Sequence, residues 1–320
     1  MEESQPPEGT RKGAKIVYIW DMDETIILLK SLLNGSYAGG FNGAKDVQKG
    51  IEIGKMWEKH ILQICDDHFF YEQVENYNSP SLDALVEYDD GRDLGDYDFT
   101  NDNLGPPADD LNKRKLAYRY RMVSKKYQQG LRNIVDQDTI REWNELYELT
   151  DKFTDGWLSS ARSFLEQCSE VNKESDTECQ RINILVTSGS LIPSLVKCVL
   201  FQLDDLFTHD NALPCIDIEI PMTAADILII ASVYSSWEVG KYHCFAQIKD
   251  RFCSSNVQFC VIGDGWEECE AAQVMKWPFI QIDLDLGSSH KFPGLTLKTV
   301  GHYISVIYGN SDTADADHQD

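Results

Sequence analysis

Four short apolar runs stand out from a largely polar chain. They are KIVYIW at 15–20, INILVTSG at 182–189, VQFCVIGDG at 257–265 and FIQIDLD at 279–285. Runs of this length, rich in β-branched and aromatic residues, predict buried strands. The gaps between the last three carry helical periodicity. Leu191, Leu195, Val196 and Val199 share one face, and Val239, Tyr242, Phe245, Ile248 and Phe252 share another. Strands alternating with helices predict an α/β fold with a parallel sheet and right-handed crossovers. The polar residues that close the runs then gather at the strand C-termini, where such sheets bind ligands.

One segment breaks the alternation. From about residue 33 to 155 no run reads as a strand. Met56, Trp57, Ile61, Leu62, Ile64 and Cys65 fit a helix, as do Leu116, Tyr120, Val123 and Tyr127. Between these two sets, residues 83–110 are acidic and contain Gly and Pro, which predicts a long loop. The organisation expected is a core of 16–32 and 156–308, a mainly helical cap insertion over 33–155, a disordered tail over 1–15 and an acidic tail over 309–320.

Composition narrows the function. The chain has 320 residues, 42 % of them hydrophobic, and a formal charge of −24. A surface so acidic repels nucleic-acid phosphates and excludes nonspecific DNA or RNA binding. It repels phosphorylated substrates too, so a phosphate site has to be locally positive. Nine cysteines are scattered without a CxxC pair. That usage predicts reduced thiols and an intracellular protein of the cytoplasm, the nucleus or both. No apolar stretch approaches 18 residues and no leader pattern opens the chain, so no membrane partner is expected.

Chemistry concentrates at the strand ends. Asp21 and Asp23 close the first run, with Thr25 behind them. Residues i and i+2 leave a strand on the same side, and two carboxylates there suit a hard cation such as Mg²⁺. The same spacing at Asp283 and Asp285 reads better as a strand end. Asp264 lies between Gly263 and Gly265, which permit a tight turn and close approach to a ligand. It is either a third metal ligand or part of an ordinary turn. Glu267 and Glu268 support the site or merely favour a helix N-terminus. Thr187 or Ser188, ahead of Gly189 and a helix, suits a phosphate oxygen or caps that helix, and both can hold at once. Lys241, following Gly240, is a phosphate-binding cation or a plain surface lysine. His243-Cys244 followed by Arg251 is one residue too long for a cysteine-phosphatase loop and lies in a helical pattern.

The order of these motifs resembles the haloacid dehalogenase superfamily: apolar run and DxDxT, apolar run and Thr/Ser, Lys, then GDG. WDMDETIILLKSLLNGSYA, LAYRYRMVSKKY, LIPSLVK, GKYHCF and VIGDGWEECEAA are further similar to the eyes-absent family over roughly residues 16–308. With only a dozen or so residues ahead of the first run, the chain resembles the compact, plant-type members. The resemblance implies a parallel-sheet, haloacid-dehalogenase-like core with a helical cap inserted after the first strand. It implies a Mg²⁺-dependent protein tyrosine phosphatase acting on phosphotyrosine-containing proteins. By that resemblance Asp21 is nucleophile and metal ligand, and Asp23 is general acid/base and a ligand through its backbone carbonyl. Asp264 is the third ligand, Lys241 with Thr187 or Ser188 binds the phosphate, and Glu268 supports the metal site. The alternative is the same chemistry on a small phosphate monoester.

One further pattern bears on the substrate. Lys113, Arg114, Lys115, Arg119, Arg121, Lys125 and Lys126 crowd one helical stretch with no acid among them. They either present a positive patch to a phosphopeptide, with Tyr118, Tyr120 and Tyr127 against its ring, or balance the acidic stretch at 83–110.

Overall fold

The computed structural model describes residues 15–130, 135–169, 180–209, 230–252, 256–285 and 287–309. Five strands form one all-parallel sheet: β1 (Lys15–Trp20), β2 (Gln180–Thr187), β5 (Val233–Ser235), β6 (Val257–Gly263) and β7 (Phe279–Gln281), in the order β5-β2-β1-β6-β7. β3 (Thr208–His209) and β4 (Ile230–Ala231) form a small antiparallel pair. The central strand is the first in sequence. Lys15 pairs with Gln180 on one side and Val257 on the other, and Trp20 with Leu185 and Ile262. The chain builds outward from β1 first to β2 and β5, then to β6 and β7. The crossovers therefore reverse direction at β1, which opens a crevice beyond its C-terminal end.

Alternation along β1 assigns each residue to a face. Tyr18 and Trp20 join one hydrophobic cluster, and Val17 and Ile19 the other. The smaller cluster is covered by α9 (Lys241–Arg251) and α10 (Trp266–Met275), through Cys244, Phe245, Ile248, Ala271 and Ala272. The larger is covered by α7 (Trp157–Ser169), α8 (Leu191–Leu200), α11 (Leu297–Tyr308) and helices lying between β1 and β2. Those helices are α1 (Leu29–Leu33), α2 (Ser36–Gly39), α3 (Val47–His68), α4 (Tyr71–Val74), α5 (Asp110–Gln129) and α6 (Gln137–Phe153). Among the described residues between 33 and 155 there is no strand. Asp46, Asp109 and Asp136 each accept an N–H bond from three residues on, capping α3, α5 and α6.

Several sequence expectations change. β5 was not among the four predicted strands, because three residues are too short to stand out from the apolar stretch before α9. The fourth run is a strand only over Phe279–Gln281. Its Asp285 N–H donates to Asp283 Oδ1 at 2.9 Å, a turn that stops the ladder. In α3, Trp57, Ile61, Ile64 and Cys65 are buried, but Met56 and Leu62 face solvent. Val239 lies ahead of α9, and both it and Tyr242 are exposed. The expected tails fall outside the described residues, except for Lys15, which opens β1, and Gly309, which follows α11.

The basic stretch of α5 is not an open patch. Arg119 is 1 % exposed and paired bidentately with Asp102 at 2.7 and 2.8 Å. Its other N–H groups donate to Gln73 Oε1 and to the carbonyls of Lys115 and Phe99. Arg121 meets Asp89 at 3.0 Å. Tyr118 donates to Asp90, and Tyr118, Tyr120 and Tyr127 are all buried. The helix balances the acidic stretch beside it, and its tyrosines are core.

Candidate active site

β1 ends and Asp21 follows at once, its N–H still donating to Ile262 O at 2.9 Å. The sheet ladder thus fixes the backbone of Asp21 beside the end of β6. Gly263 is required by this proximity: a Cβ there would lie 3.2 Å from Asp21 Cβ and 3.1 Å from Glu268 Cγ. At Gly265 a Cβ would collide with the Glu268 carboxylate. The glycines predicted for a tight turn therefore also leave room for two acids.

Lys241 opens α9 after Gly240, whose φ of +81° is a conformation that favours glycine. The lysine is 3 % exposed, which removes the reading as a plain surface residue. Its Nζ lies 2.5 Å from Asp21 Oδ1 and 2.5 Å from Glu268 Oε1, and donates to Val186 O at 2.7 Å. The three ammonium donors have three acceptors, drawn from the ends of β1, β2 and the start of α10.

The negative charge here exceeds one lysine. Asp264 stands near, linked through Thr25, whose Oγ1 lies 3.5 Å from Asp21 Oδ2 and 3.4 Å from Asp264 Oδ1. A hydroxyl has a single proton and can donate to only one of them at a time. Burial, opposed by Lys241 but reinforced by Glu268 and Asp264, pushes Asp21 up to about 7. Burial and the neighbouring Glu268 raise Asp264 as well. Burial alone would lower Lys241, but the Asp21 and Glu268 carboxylates outweigh it and hold the ammonium above its usual range.

Asp23 takes a different partner. Lys197 of α8 donates to both of its oxygens, at 2.8 and 2.7 Å. The two carboxylates leave the strand end together but engage different lysines. Both line one cleft of about 730 Å³, with Ser188, Lys197, Asp264, Trp266, Glu267 and Glu268 among the residues around it. Of the two hydroxyls at the end of β2, Ser188 is exposed on this cleft, while Thr187 is buried and accepts from the Gly189 N–H at 3.2 Å. Glu268 is buried against Lys241, whereas Glu267 sits exposed on the rim. Segment 78–80 braces this corner: Asn78 Oδ1 accepts from the Leu191 N–H, and Pro80 O from the Ser235 N–H, each at 2.8 Å.

The fold therefore brings together Asp21, Asp23, Ser188, Lys241, Asp264 and Glu268, while Thr187 is buried next to Ser188 and does not line the cleft. Sequence reasoning missed Lys197, which lies inside LIPSLVK. The available signal was a lysine one turn from the end of an otherwise apolar helix, at a strand end already carrying unpaired acids. The cysteine-phosphatase motif is absent from the site: Cys244 is buried in α9, and burial raises its thiol to about 12.

Among the described residues, no three His, Cys, Asp or Glu side chains form a ready-made metal cluster. No helix among them is long and apolar enough to cross a membrane.

No family model matches the chain. Its sequence is 57 % identical over 306 residues to protein phosphatase EYA of Arabidopsis thaliana, covering 94 % of this chain and 93 % of that protein. It is 31 % identical over 295 residues to protein phosphatase EYA2 of Homo sapiens and 32 % over 282 residues to human protein phosphatase EYA1. Those alignments take in 87 % and 83 % of this chain but only 49 % and 42 % of the human proteins, so the chain spans about half their length. Identity at this level over nearly the whole of the plant relative places the chain in the eyes-absent (EYA) family of protein phosphatases.

Proposed function

We propose that the chain is a Mg²⁺-dependent protein tyrosine phosphatase with a haloacid-dehalogenase-like core, in which Asp21 is the nucleophile and the segment 33–155 serves as the cap. The observation that carries this reading is the buried Asp21–Lys241–Glu268 constellation at the topological switch of the sheet, opening onto a cleft with Asp23 and Asp264.

The donor set fits a hard divalent cation. Asp21, Asp264 and Glu268 crowd one lysine, leaving negative charge that Lys241 alone does not offset. Mg²⁺ is commonly held by one or two carboxylates with waters completing its shell, so a dense protein cage is not needed. Asp21 and Asp264 would hold it through their carboxylates and Asp23 through its backbone carbonyl. Bound there, the cation supplies positive charge to the phosphoryl oxygens.

The chain's own residues then divide the work. A carboxylate oxygen of Asp21 attacks phosphorus, forming an acyl phosphate as the bond from phosphorus to the tyrosyl oxygen breaks. Asp23 gives that oxygen a proton, then takes one from the water that cleaves the acyl phosphate and releases inorganic phosphate. Lys197 fixes the orientation of the Asp23 carboxylate through both oxygens. Lys241 brings a buried positive charge to the phosphate, and Ser188 offers a hydroxyl on the cleft wall with Thr187 shaping the loop behind it. Most of the catalytic effect in phosphoryl transfer comes from such positioning and charge. We place the protein inside the cell, a setting suited to its free cysteines at 65, 168, 198, 244, 260 and 269.

A panel of phosphotyrosine, phosphoserine and phosphothreonine peptides, with small phosphate monoesters alongside, tests the reading with Mg²⁺ and with a chelator. Mg²⁺-dependent release of phosphate from the phosphotyrosine peptides is expected. Preference for a small monoester over every peptide would establish the alternative substrate class. Asp264→Asn should raise the Mg²⁺ concentration needed for half-maximal rate, and an unaltered Mg²⁺ curve would remove Asp264 from the ligand set.

A further inference from the structure

Beside the catalytic cleft lies a second groove of about 490 Å³, between the start of α9 and the outer face of α10. Glu267, Glu270, Ala271 and Val274 are spaced three and four apart, so they line one stripe of α10. Tyr242 faces them from α9. Trp266 borders both this groove and the catalytic cleft, as does Glu267. Three apolar side chains here are far more exposed than a packed interior requires: Trp266 at 70 %, Val274 at 60 % and Tyr242 at 54 %. Contiguous exposed apolar groups beside a functional cleft mark binding surfaces. The two acids are also free: among the described residues neither Glu267 nor Glu270 is in an ion pair.

We propose that this groove docks the substrate segment flanking the phosphorylated tyrosine, and that it selects large apolar and basic side chains there. The proposal rests on the tyrosine phosphatase reading above. Two observations decide the occupant. The groove continues the cleft through Trp266, so a chain whose phosphorylated residue enters the cleft is led along it. Its rim carries Glu267 and Glu270, and the one lysine along it, Lys241, gives its ammonium to Asp21, Glu268 and Val186 O, so a positive residue is favoured next to the apolar one. Aromatic walls such as Trp266 and Tyr242 suit both: they present a broad apolar face, and they attract a guanidinium or ammonium over the ring. The phosphate itself is drawn to Lys241 and a bound cation, so the two ends of the substrate segment meet opposite charges. This resolves a difficulty posed by a formal charge of −24. A phosphopeptide with basic flanks is attracted to such an enzyme where an acidic one is repelled.

The experiment compares two phosphotyrosine peptides of equal length, one flanked by Leu and Arg and the other by Ser and Asp. It measures kcat/KM for each and for p-nitrophenyl phosphate, which is too small to reach the groove. Wild-type protein should favour the basic, apolar peptide by about tenfold or more, the scale of a well-placed anchor. Val274→Asp should remove most of that preference while p-nitrophenyl phosphate turnover stays the same. Glu270→Lys should shift the preference toward the acidic peptide, a reversal that loss of packing alone does not produce. Anisotropy of a labelled peptide bearing a non-hydrolysable phosphotyrosine mimic measures docking without turnover, and Val274→Asp should weaken it.

Three results would overturn the proposal. Equal kcat/KM for both peptides, with normal turnover, would leave the phosphatase reading standing and the groove without a role in selection. Wild-type chain that dimerises in solution, and becomes monomeric with Val274→Asp while peptide preference persists, would assign the groove to a second copy of the chain. Absence of phosphotyrosine turnover with intact p-nitrophenyl phosphate turnover would instead remove the substrate reading on which the groove depends.

Discussion

Two regions of this protein bury a basic side chain against an acid, and they are built on different terms. On α5, Arg119 and Asp102 are 1 % and 7 % exposed at the side chain. Each guanidinium N–H within reach has an acceptor, and Tyr97 donates to Asp102 as well. Burial works against the Asp102 charge, yet the Arg119 and Tyr97 bonds prevail and hold this carboxyl below its usual range. At the end of β1, Lys241 and Asp21 are 2 % and 7 % exposed, almost the same burial. There burial, opposed by Lys241 but reinforced by the charges of Glu268 and Asp264, pushes Asp21 up to about 7. A pair whose charges and hydrogen bonds close on themselves organises structure. A pair left with excess charge, open to a cleft, is equipped to accept a ligand. Side-chain exposure does not separate the two; the desolvation of Asp21 and the local balance of charge do.

The two pairs should respond in opposite ways to the loss of one partner. Asp21→Asn keeps the shape of the side chain and removes the charge on which its proposed role as nucleophile depends. Turnover should fall by about four powers of ten or more, as for removal of other nucleophiles. Stability should hold or rise, because the variant relieves crowding among Asp21, Asp264 and Glu268. Rates near wild type on p-nitrophenyl phosphate would show that another group attacks. Arg119→Met should do the converse. Leaving Asp102 buried without its partner should cost about 3–5 kcal/mol in urea unfolding. The folded fraction should still turn over p-nitrophenyl phosphate at the wild-type rate. The pH dependence has a definite sign. The folded-state pKa of Asp102 is depressed, so its contribution is fully present above the ordinary aspartate value of about 3.9 and is lost as pH falls through the depressed value. Arg119→Met should lack that share of the acid-side loss.

How much of this contrast could be read from the sequence depends on the range of the interaction involved. Asp21, Asp23 and Asp264 were legible because each lies within a short motif at the end of an apolar run, and the sheet order then brings those run ends together. The α5 periodicity of Leu116, Tyr120, Val123 and Tyr127 was legible for the same reason, and all four are buried. The pairing of α5 with residues 89–102 was not legible. Composition shows that acids and bases are present, but not which of them meet across a loop. Lys197 was hidden in a related way: its partner Asp23 is 174 positions away in sequence. Exposed Met56, Leu62 and Tyr242 mark the opposite limit, since hydrophobic residues on a helix surface carry the same periodic signal as buried ones.

Lys197 lies between these two extremes. It is 13 % exposed at the side chain and binds both oxygens of Asp23, so it resembles the closed pair on α5 but faces the cleft. Lys197→Met should release the Asp23 carboxylate and lower kcat by about 100-fold, the smaller end of the general acid/base contribution proposed for Asp23. KM for p-nitrophenyl phosphate should change little, and Lys197→Arg should restore part of kcat. A matched loss in KM, or no difference between the Met and Arg variants, would make Lys197 a structural residue.

The smallest effect expected is also the most direct test of α5 as structure. Ten acids lie between 83 and 110 against one base, Arg92, and α5 follows with seven cations. Arg114 is the most exposed of the paired α5 arginines, 44 % at the side chain and 4.0 Å from Asp90. An exposed pair at that distance is worth about 0–0.5 kcal/mol. Arg114→Ala should therefore shift urea unfolding by no more than that, and less still as added salt screens the pair. If α5 offered its charge to a phosphopeptide, the same substitution would lower kcat/KM for the peptide at low salt while sparing p-nitrophenyl phosphate. The ion pairs of Arg119 and Arg121 with Asp102 and Asp89 predict the opposite, with both substrates unaffected at any salt concentration. A salt-dependent loss confined to the peptide would return α5 to the substrate-binding surface and weaken the contrast between a closed pair and an open one.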